Sequence, residues 1–549
     1  MKAAQQRILS RDSMNLLHDL LDVSASRFPN NEALRSRGHS TTYAELQRRS
    51  HSLAAALQSR GVGRGDRVAV YLQNRAEAVE TALACSRLGA IYVPANPLLK
   101  ARQLEHLLND AGAATLIASQ TVAAQIEASL PRCSNIRRLV WCDASQPRPP
   151  VSPELTVLRY DDLMTGDTHV HGPAIEEDPA ALLYTSGSTG RAKGVVVSHR
   201  NLVTGAHTVS SYLENTAHDR ILVALPLSFD YGLSQVTTAF TVGACAVLTN
   251  FSMPAALLQD MVAERVTALA GVPTMWMHLA SAEWPAAAVK TLRYITNSGG
   301  ALPVSVIRNL QARLPNTLIY CMYGLTEAFR STYLEPAQLE QHLGAIGKAI
   351  PGQEVWVLNA EGRECQPGEI GELVHRGSLV TLGYWNDAQL TRQRFKPLPK
   401  RLQQLTREEI AVWSGDLVKT DAEGFIYFVG RRDHLLKSSG YRISPIEIEE
   451  VIAELPAVIE SAALGIPDEA LGQRVVVAAV VEPQAPADIA ERIRQHCRMQ
   501  LPAYMVPAEV HLMSQLPRNA NGKCDRAALT ATLSQVSPEQ VATVRAARQ

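Results

Sequence analysis

The sequence predicts an α/β fold, with a large N-terminal domain of parallel-rich sheets flanked by helices, a β-rich subdomain near residues 345–430, and a small α+β C-terminal domain. Three observations predict it. Short β-branched runs alternate with helical stretches through most of the first 430 residues. Gly and Pro begin to punctuate short strands near residue 350. A polar junction, Arg431-Arg432-Asp433-His434, then precedes a fresh helix-start signature. The expected domains are therefore 1–432 and 433–549.

Leu16, Leu17, Leu20, Leu21 and Val23 recur at helical spacing, with Asp12 or Ser13 placed to cap that helix. Residues 67–72 read as a strand, 76–88 as a helix, and 90–93 as a second strand stopped at Pro94. That is the spacing of a parallel pair joined by a crossover helix. Strands are expected again at 221–225, 246–248 and 318–320, and in the β-rich part at 355–358 and 372–375. The charged, poorly alternating stretch 392–409 reads as a solvated surface excursion. Beyond the junction, Ser444-Pro445-Ile446-Glu447 offers a capping Ser, a Pro suited to the first helical position and a Glu able to reach back to the cap. Ile448, Val451, Ile452 and Leu455 give that helix its buried stripe, strands follow at 475–481 and 509–513, and the last twenty residues read as a polar tail.

Composition excludes several classes. With 46% hydrophobic and 19% charged residues the chain is a folding one. Its 53 Lys plus Arg balance 53 Asp plus Glu, so no global field draws it to nucleic acid or an anionic membrane. The eight Cys include no CxxC pair and no Cys/His cluster at zinc spacing, which points to reduced thiols and a cytoplasmic location. No apolar run reaches the roughly 18 residues of a membrane span, and the N-terminus has charges where a signal peptide needs its apolar core.

The most informative window is Tyr184-Thr185-Ser186-Gly187-Ser188-Thr189-Gly190-Arg191-Ala192-Lys193-Gly194, set between two apolar strands. Its glycines, hydroxyls and Lys193 suit a polyphosphate, which backbone amides, side-chain oxygens and one mobile cation can wrap. It is not a P-loop, because no register places four residues between a first Gly and a GK pair followed by Ser or Thr.

This wording resembles the signature of the adenylate-forming superfamily of acyl-CoA ligases, amino-acid adenylation domains and firefly luciferases. Further segments match in the family's order: Tyr323-Gly324-Leu325-Thr326-Glu327, then Trp413-Ser414-Gly415-Asp416 with Ser where Thr is commoner, then Gly430-Arg431-Arg432-Asp433, Lys437-Ser438-Ser439-Gly440-Tyr441-Arg442, and Asn519-Ala520-Asn521-Gly522-Lys523. The resemblance implies an enzyme that turns a carboxylic acid and ATP into an acyl-adenylate and then passes the acyl group to a thiol. It assigns the β and γ phosphates to Thr185, Ser186, Gly187, Ser188, Thr189, Gly190 and Lys193, and the α-phosphate to Thr326. Mg²⁺ falls to Glu327, adenine to Tyr323 beside Gly299-Gly300-Ala301, and the ribose to Asp416 and Arg431. Lys523 is the catalytic lysine of a mobile C-terminal domain, Asp433 the hinge, and Lys437, Gly440 and Arg442 the loop serving thioester formation.

The acid is less constrained. Pocket residues are expected from 225–235, with Phe229, Asp230 and Tyr231 foremost, and from 270–278. Phe-Asp is frequent in amino-acid adenylation domains, where the Asp meets an α-ammonium, and a buried anion needs a cationic partner. Residues 93–100 and 228–233 instead resemble stand-alone bacterial acyl-CoA ligases. No carrier segment is evident in this length, so the thiol is that of CoA or of the phosphopantetheine of a separate carrier protein. A non-catalytic nucleotide-binding scaffold, the different-class alternative, predicts loss of the catalytic groups, yet Lys193, Glu327, Asp416 and Lys523 persist.

Overall fold

In the computed structural model, the described residues are 14–143, 154–164, 170, 172–185, 191–300, 302, 304–431, 436–443, 445–517 and 524–534. They fall into two compact units. Those up to 431, apart from 98–102 and 191–192, make the first, and the remainder make the second.

The first unit carries two sheets, and the α/β architecture read from the sequence is the one observed. In one sheet, strands Arg67–Tyr71 and Ile91–Pro94 are parallel neighbours, and helix Ala76–Leu88 crosses between them. Pro94 ends that strand as its last paired residue, opposite Val70. Strands Pro179–Thr185 and Lys193–Ser198 close one edge as an antiparallel pair. The larger sheet has a parallel run in the spatial order Leu318–Tyr323, Tyr294–Asn297, Ala268–Gly271, Arg220–Val223, Cys245–Leu248 and Glu32–Ser36. Ala246, Val247 and Leu248 are all buried, the continuous apolar run expected of a parallel strand covered on both faces. The chain leaves Arg220–Val223 toward one side and returns to lay Ala268–Gly271 on the other, so the strand order reverses there. In open α/β sheets ligands bind outside the carboxyl ends of the strands at such a reversal.

Two local expectations are corrected. The first helix, Leu17–Arg27, starts too late for Asp12 or Ser13 to cap it, and both lie outside the described residues. Asp19 does the work, its Oδ2 accepting from the N–H groups of Asn15 and Leu16 at 3.0 and 2.8 Å. The stretch 392–409 is not merely a solvated excursion. Its strand Phe395–Pro397 pairs with the start of the strand Ile410–Thr420, Phe395 and Leu398 are buried, and buried Glu409 takes an ion pair from Arg376. The apolar residues there are too sparse to show alternation, yet Phe395 and Leu398 meet the core while Leu405 stays exposed.

His199 opens the helix His199–Tyr212, and its Nδ1 accepts from the Leu17 N–H at 3.2 Å, tying that helix to the first. Burial disfavours the charged ring and holds it at about 4, although Asp178 pulls the other way. An unfolded His takes its proton near 6.5, so the contribution is complete above that pH and is lost as pH falls toward 4. Roughly 3 kcal/mol of stability should disappear over that window. Melting of the wild type and of His199→Asn across it should show a steeper acid loss in the wild type.

The second unit is α+β. Helix Pro445–Ile452 begins at Pro445 as its signature predicts, and Ile448, Val451 and Ile452 are buried against Val475, Val477 and Ile493. Strands Val458–Asp468 and Gly472–Val481 are antiparallel, with Glu509–Leu512 parallel to the latter. The expected tail lies outside the described residues from 535 on. Among the described residues no helix is long and apolar enough to cross a membrane, and the eight cysteines are free thiols.

Candidate active site

The Gly/Ser-rich loop joins the antiparallel pair at one edge of the smaller sheet of the first unit, and Thr185 lies directly opposite Lys193 in their register. Ser186, Gly187, Ser188, Thr189 and Gly190 lie outside the described residues. The backbone at 382–385 runs alongside the second edge strand: the Val196 N–H donates to the Gly383 carbonyl at 2.9 Å, and the Trp385 N–H to that of Gly194 at 2.7 Å. This pairing delivers Tyr384, whose hydroxyl donates to Glu327 Oε1 at 2.6 Å. Thr381 donates to the Glu327 carbonyl through both its N–H and its hydroxyl, each at 3.0 Å. Glu327 is buried, and its carboxylate and backbone are both fixed by one segment.

Tyr323 ends the strand Leu318–Tyr323, and its hydroxyl donates to Asp416 Oδ2 at 2.5 Å. Asp416 is fully buried on the strand Ile410–Thr420, where register sets it opposite Arg431. Its position is built from two side chains. The Ser414 hydroxyl donates to the Leu373 carbonyl at 2.6 Å and accepts from the Asp416 N–H at 3.0 Å. Glu372 Oε1 accepts from the Gly415 N–H at 2.8 Å. The Ser found where Thr is commoner thus keeps a hydroxyl with two backbone partners. The Tyr323 ring also stacks on His375, centroids 6.1 Å apart. Gly299, with φ of +83°, and Gly300 follow the neighbouring strand Tyr294–Asn297, and Asn297 Nδ2 donates to the Gly300 carbonyl at 3.0 Å. Ala301 lies outside the described residues.

Phe229, Asp230 and Tyr231 stand at the strand-order reversal, after the strand Arg220–Val223. Phe229 precedes and Asp230 begins the helix Asp230–Val242, and a Cβ on Gly232 would lie 2.1 Å from the Pro226 carbonyl oxygen, so only Gly lets the loop fold back over the helix. Asp230 is half-buried rather than buried, at the end of the helix whose dipole stabilises a carboxylate. The case for an ammonium partner built on a buried anion loses its premise. Tyr231 is buried, its hydroxyl bonded to that of Thr296 at 2.6 Å.

In the second unit, Lys437 lies opposite Arg442 in a hairpin whose two turn residues, Ser439 and Gly440, both have positive φ, 55° and 80°. That is the turn favoured in two-residue hairpins. Asp433 and Lys523 lie outside the described residues. Sequence reasoning missed Tyr384, Thr381 and Glu372, which hold Glu327 and Gly415 from more than 40 residues away. No local pattern announces them.

The AMP-binding enzyme family model matches residues 21–385, and that of the AMP-binding enzyme C-terminal domain matches 447–523. The chain belongs to the AMP-binding enzyme family. It is an AMP-forming acid–thiol ligase. It is 32% identical to an indoleacetate–CoA ligase of Aromatoleum aromaticum, over 92% of this chain and 96% of that one. It is 30% identical to an L-proline–[L-prolyl-carrier protein] ligase of Pseudomonas fluorescens, over 94% and 99%. Among solved structures, a double mutant of the o-succinylbenzoate CoA synthetase of Bacillus subtilis superposes with a TM-score of 0.79 at 27% identity, covering 93% of this chain and 98% of that one.

Within this adenylate-forming ligase, Tyr384→Phe removes the hydroxyl that donates to Glu327 Oε1 and keeps the ring. ATP–pyrophosphate exchange should fall about tenfold, the value of one hydrogen bond to a charged group, with the melting temperature nearly unchanged.

Proposed function

We propose that the chain joins a carboxylic acid to CoA in two half-reactions. In the first, a carboxylate oxygen attacks the α-phosphorus of ATP and pyrophosphate leaves with the electron pair of the broken P–O bond. In the second, the CoA thiolate attacks the acyl carbonyl and AMP leaves, giving the thioester. The observation that carries the reading is the convergence of Tyr323, Asp416 and Glu327, with Tyr323 donating to buried Asp416 at 2.5 Å and Glu327 in the turn that follows Tyr323.

Asp416 and Arg431 hold the ribose, Tyr323 and the Gly299-Gly300-Ala301 turn the adenine, and Thr185 through Gly190 with Lys193 the departing phosphates. Thr326 and Lys523 meet the α-phosphate, where two anions approach and positive charge lowers the barrier most. Asp433 is the hinge, and Lys437, Gly440 and Arg442 serve the thiol step. Mg²⁺ takes few protein carboxylates and completes its octahedron with phosphate oxygens and water. A single buried Glu327, oriented by Tyr384, fits that donor set. When bound there, Mg²⁺ would neutralise phosphate charge as the attack proceeds.

The test is pyrophosphate release by the purified chain across fatty, aryl and amino acids, each with and without CoA, followed by mass analysis. Conversion of an unaminated acid to its CoA thioester is the expected result. Adenylation of an amino acid with no CoA product would favour the second reading, loading of a separate carrier protein, which the prolyl-carrier relative supports. ATP binding without pyrophosphate release from any acid would leave a nucleotide-binding scaffold.

A further inference from the structure

Arg330, three residues beyond Glu327, is 2% exposed, and among the described residues no carboxylate pairs with it. Among the described residues its Nε and Nη2 make no hydrogen bond, and its one polar contact is a long 3.4 Å approach of Nη1 to the Ser298 hydroxyl. Its guanidinium lies over the Tyr231 ring, 4.5 Å from the centroid. A stacked ring offsets part of the cost of burying this charge but satisfies none of its N–H groups. Buried cations left this way are rare and need a partner that the described residues do not supply.

The backbone is shaped to aim this side chain inward. Phe329 adopts a φ of 52°, a left-handed conformation uncommon for a bulky residue, and is completely buried, its ring where a Cβ on Gly205 would lie. A Cβ on Gly324 would come within 3.1 Å of the Arg330 Cα, so Arg330 packs on the glycine of the Tyr323-Gly324 turn. The next residue in the chain and the helix that carries Tyr231 also hold unsatisfied polar groups. The Ser331 hydroxyl next in sequence has no partner. On the helix Asp230–Val242, Ser234 and Thr238 follow Tyr231 at intervals of three and four residues, on one face, and their buried hydroxyls are equally unpartnered. None of these groups supplies a negative charge. Burial pushes the hydroxyls of Tyr212 and Tyr231 above their usual range despite the Arg330 charge, so both stay protonated.

We propose that Arg330 is the specificity residue of the acid pocket and receives a second carboxylate at the far end of the substrate, so that the preferred acids are dicarboxylic. Resting on the adenylate-forming reading above, this names the substrate class at the same site. The planar fork of a guanidinium takes a carboxylate through two parallel N–H donors, and Nε and Nη2 are the pair left open here. A substrate lacking the second carboxylate leaves that charge buried and unpaired, the situation in which polar sites discriminate most strongly.

Two measurements test it. Turnover of length-matched monocarboxylic and dicarboxylic acids, straight-chain and aryl, should favour some dicarboxylic acid about 100-fold in kcat/KM over its monocarboxylic partner. Arg330→Met should collapse or invert that ratio, and Arg330→Lys should restore part of it. A merely structural Arg330 would leave the ratio untouched, and an equal loss for both acids in Arg330→Met would place Arg330 with the reacting carboxylate; either result overturns the proposal, as does a wild type without preference. Calorimetric binding of stable acyl-sulfamoyl-adenosine analogues, with and without a terminal carboxylate, reads Arg330 independently of turnover. A preference there without turnover of any acid would retain the proposal and sink the catalytic reading, whereas equal affinities would sink the proposal alone.

Discussion

Glu327→Gln should lower acid-dependent ATP–pyrophosphate exchange by about 10³-fold, close to 4 kcal/mol of transition-state stabilisation. Gln has nearly the shape of Glu, so the Tyr384 hydroxyl keeps an acceptor and the two Thr381 contacts to the backbone are untouched. What goes is the negative charge proposed to hold Mg²⁺ against the phosphates. The variant should melt within a few degrees of the wild type and need far more Mg²⁺ for residual activity. A loss under tenfold would make Glu327 a structural carboxylate, its burial explained by Tyr384 alone. Together with the tenfold effect expected of Tyr384→Phe, the pair separates the charge of Glu327 from its orientation.

Lys523→Ala should divide the reaction in two. Acyl-adenylate formation should fall by about 10²- to 10³-fold, since a cation at the α-phosphate offsets charge that builds only as the two anions meet. Thioester formation from a supplied acyl-adenylate should stay within a few-fold of the wild type, because there the thiolate attacks the acyl carbonyl carbon and not the anionic α-phosphate. Rapid-quench measurement of each half-reaction gives both rates. Equal losses would show that one arrangement of the C-terminal residues serves both steps and would remove the division of labour assigned to Lys523 and the Lys437–Arg442 hairpin.

Much of this was legible in the chain itself because it is written in local terms. The alternation that placed a strand, the helix Ala76–Leu88 and a second strand depends on residues within one crossover unit, and the structure reproduces it. The same holds for Pro445 at the start of its helix. The motifs around Lys193, Glu327 and Asp416 are likewise contiguous, which is why family and enzyme class could be read before any coordinate.

Partnership across the fold could not be read in that way. Tyr323 and Asp416 are 93 residues apart, and Glu327 and Tyr384 57 apart. Whether they meet depends on strand register, since a slip of one residue turns every side chain to the opposite face. Burial is decided at the same level: it left Asp230 half-buried at a helix end and enclosed Arg330 without a counter-charge among the described residues. Periodicity and turn chemistry act over a few residues and so determine the elements. The electrostatics of a site arise from what several elements exclude or supply together, and only their packing decides that.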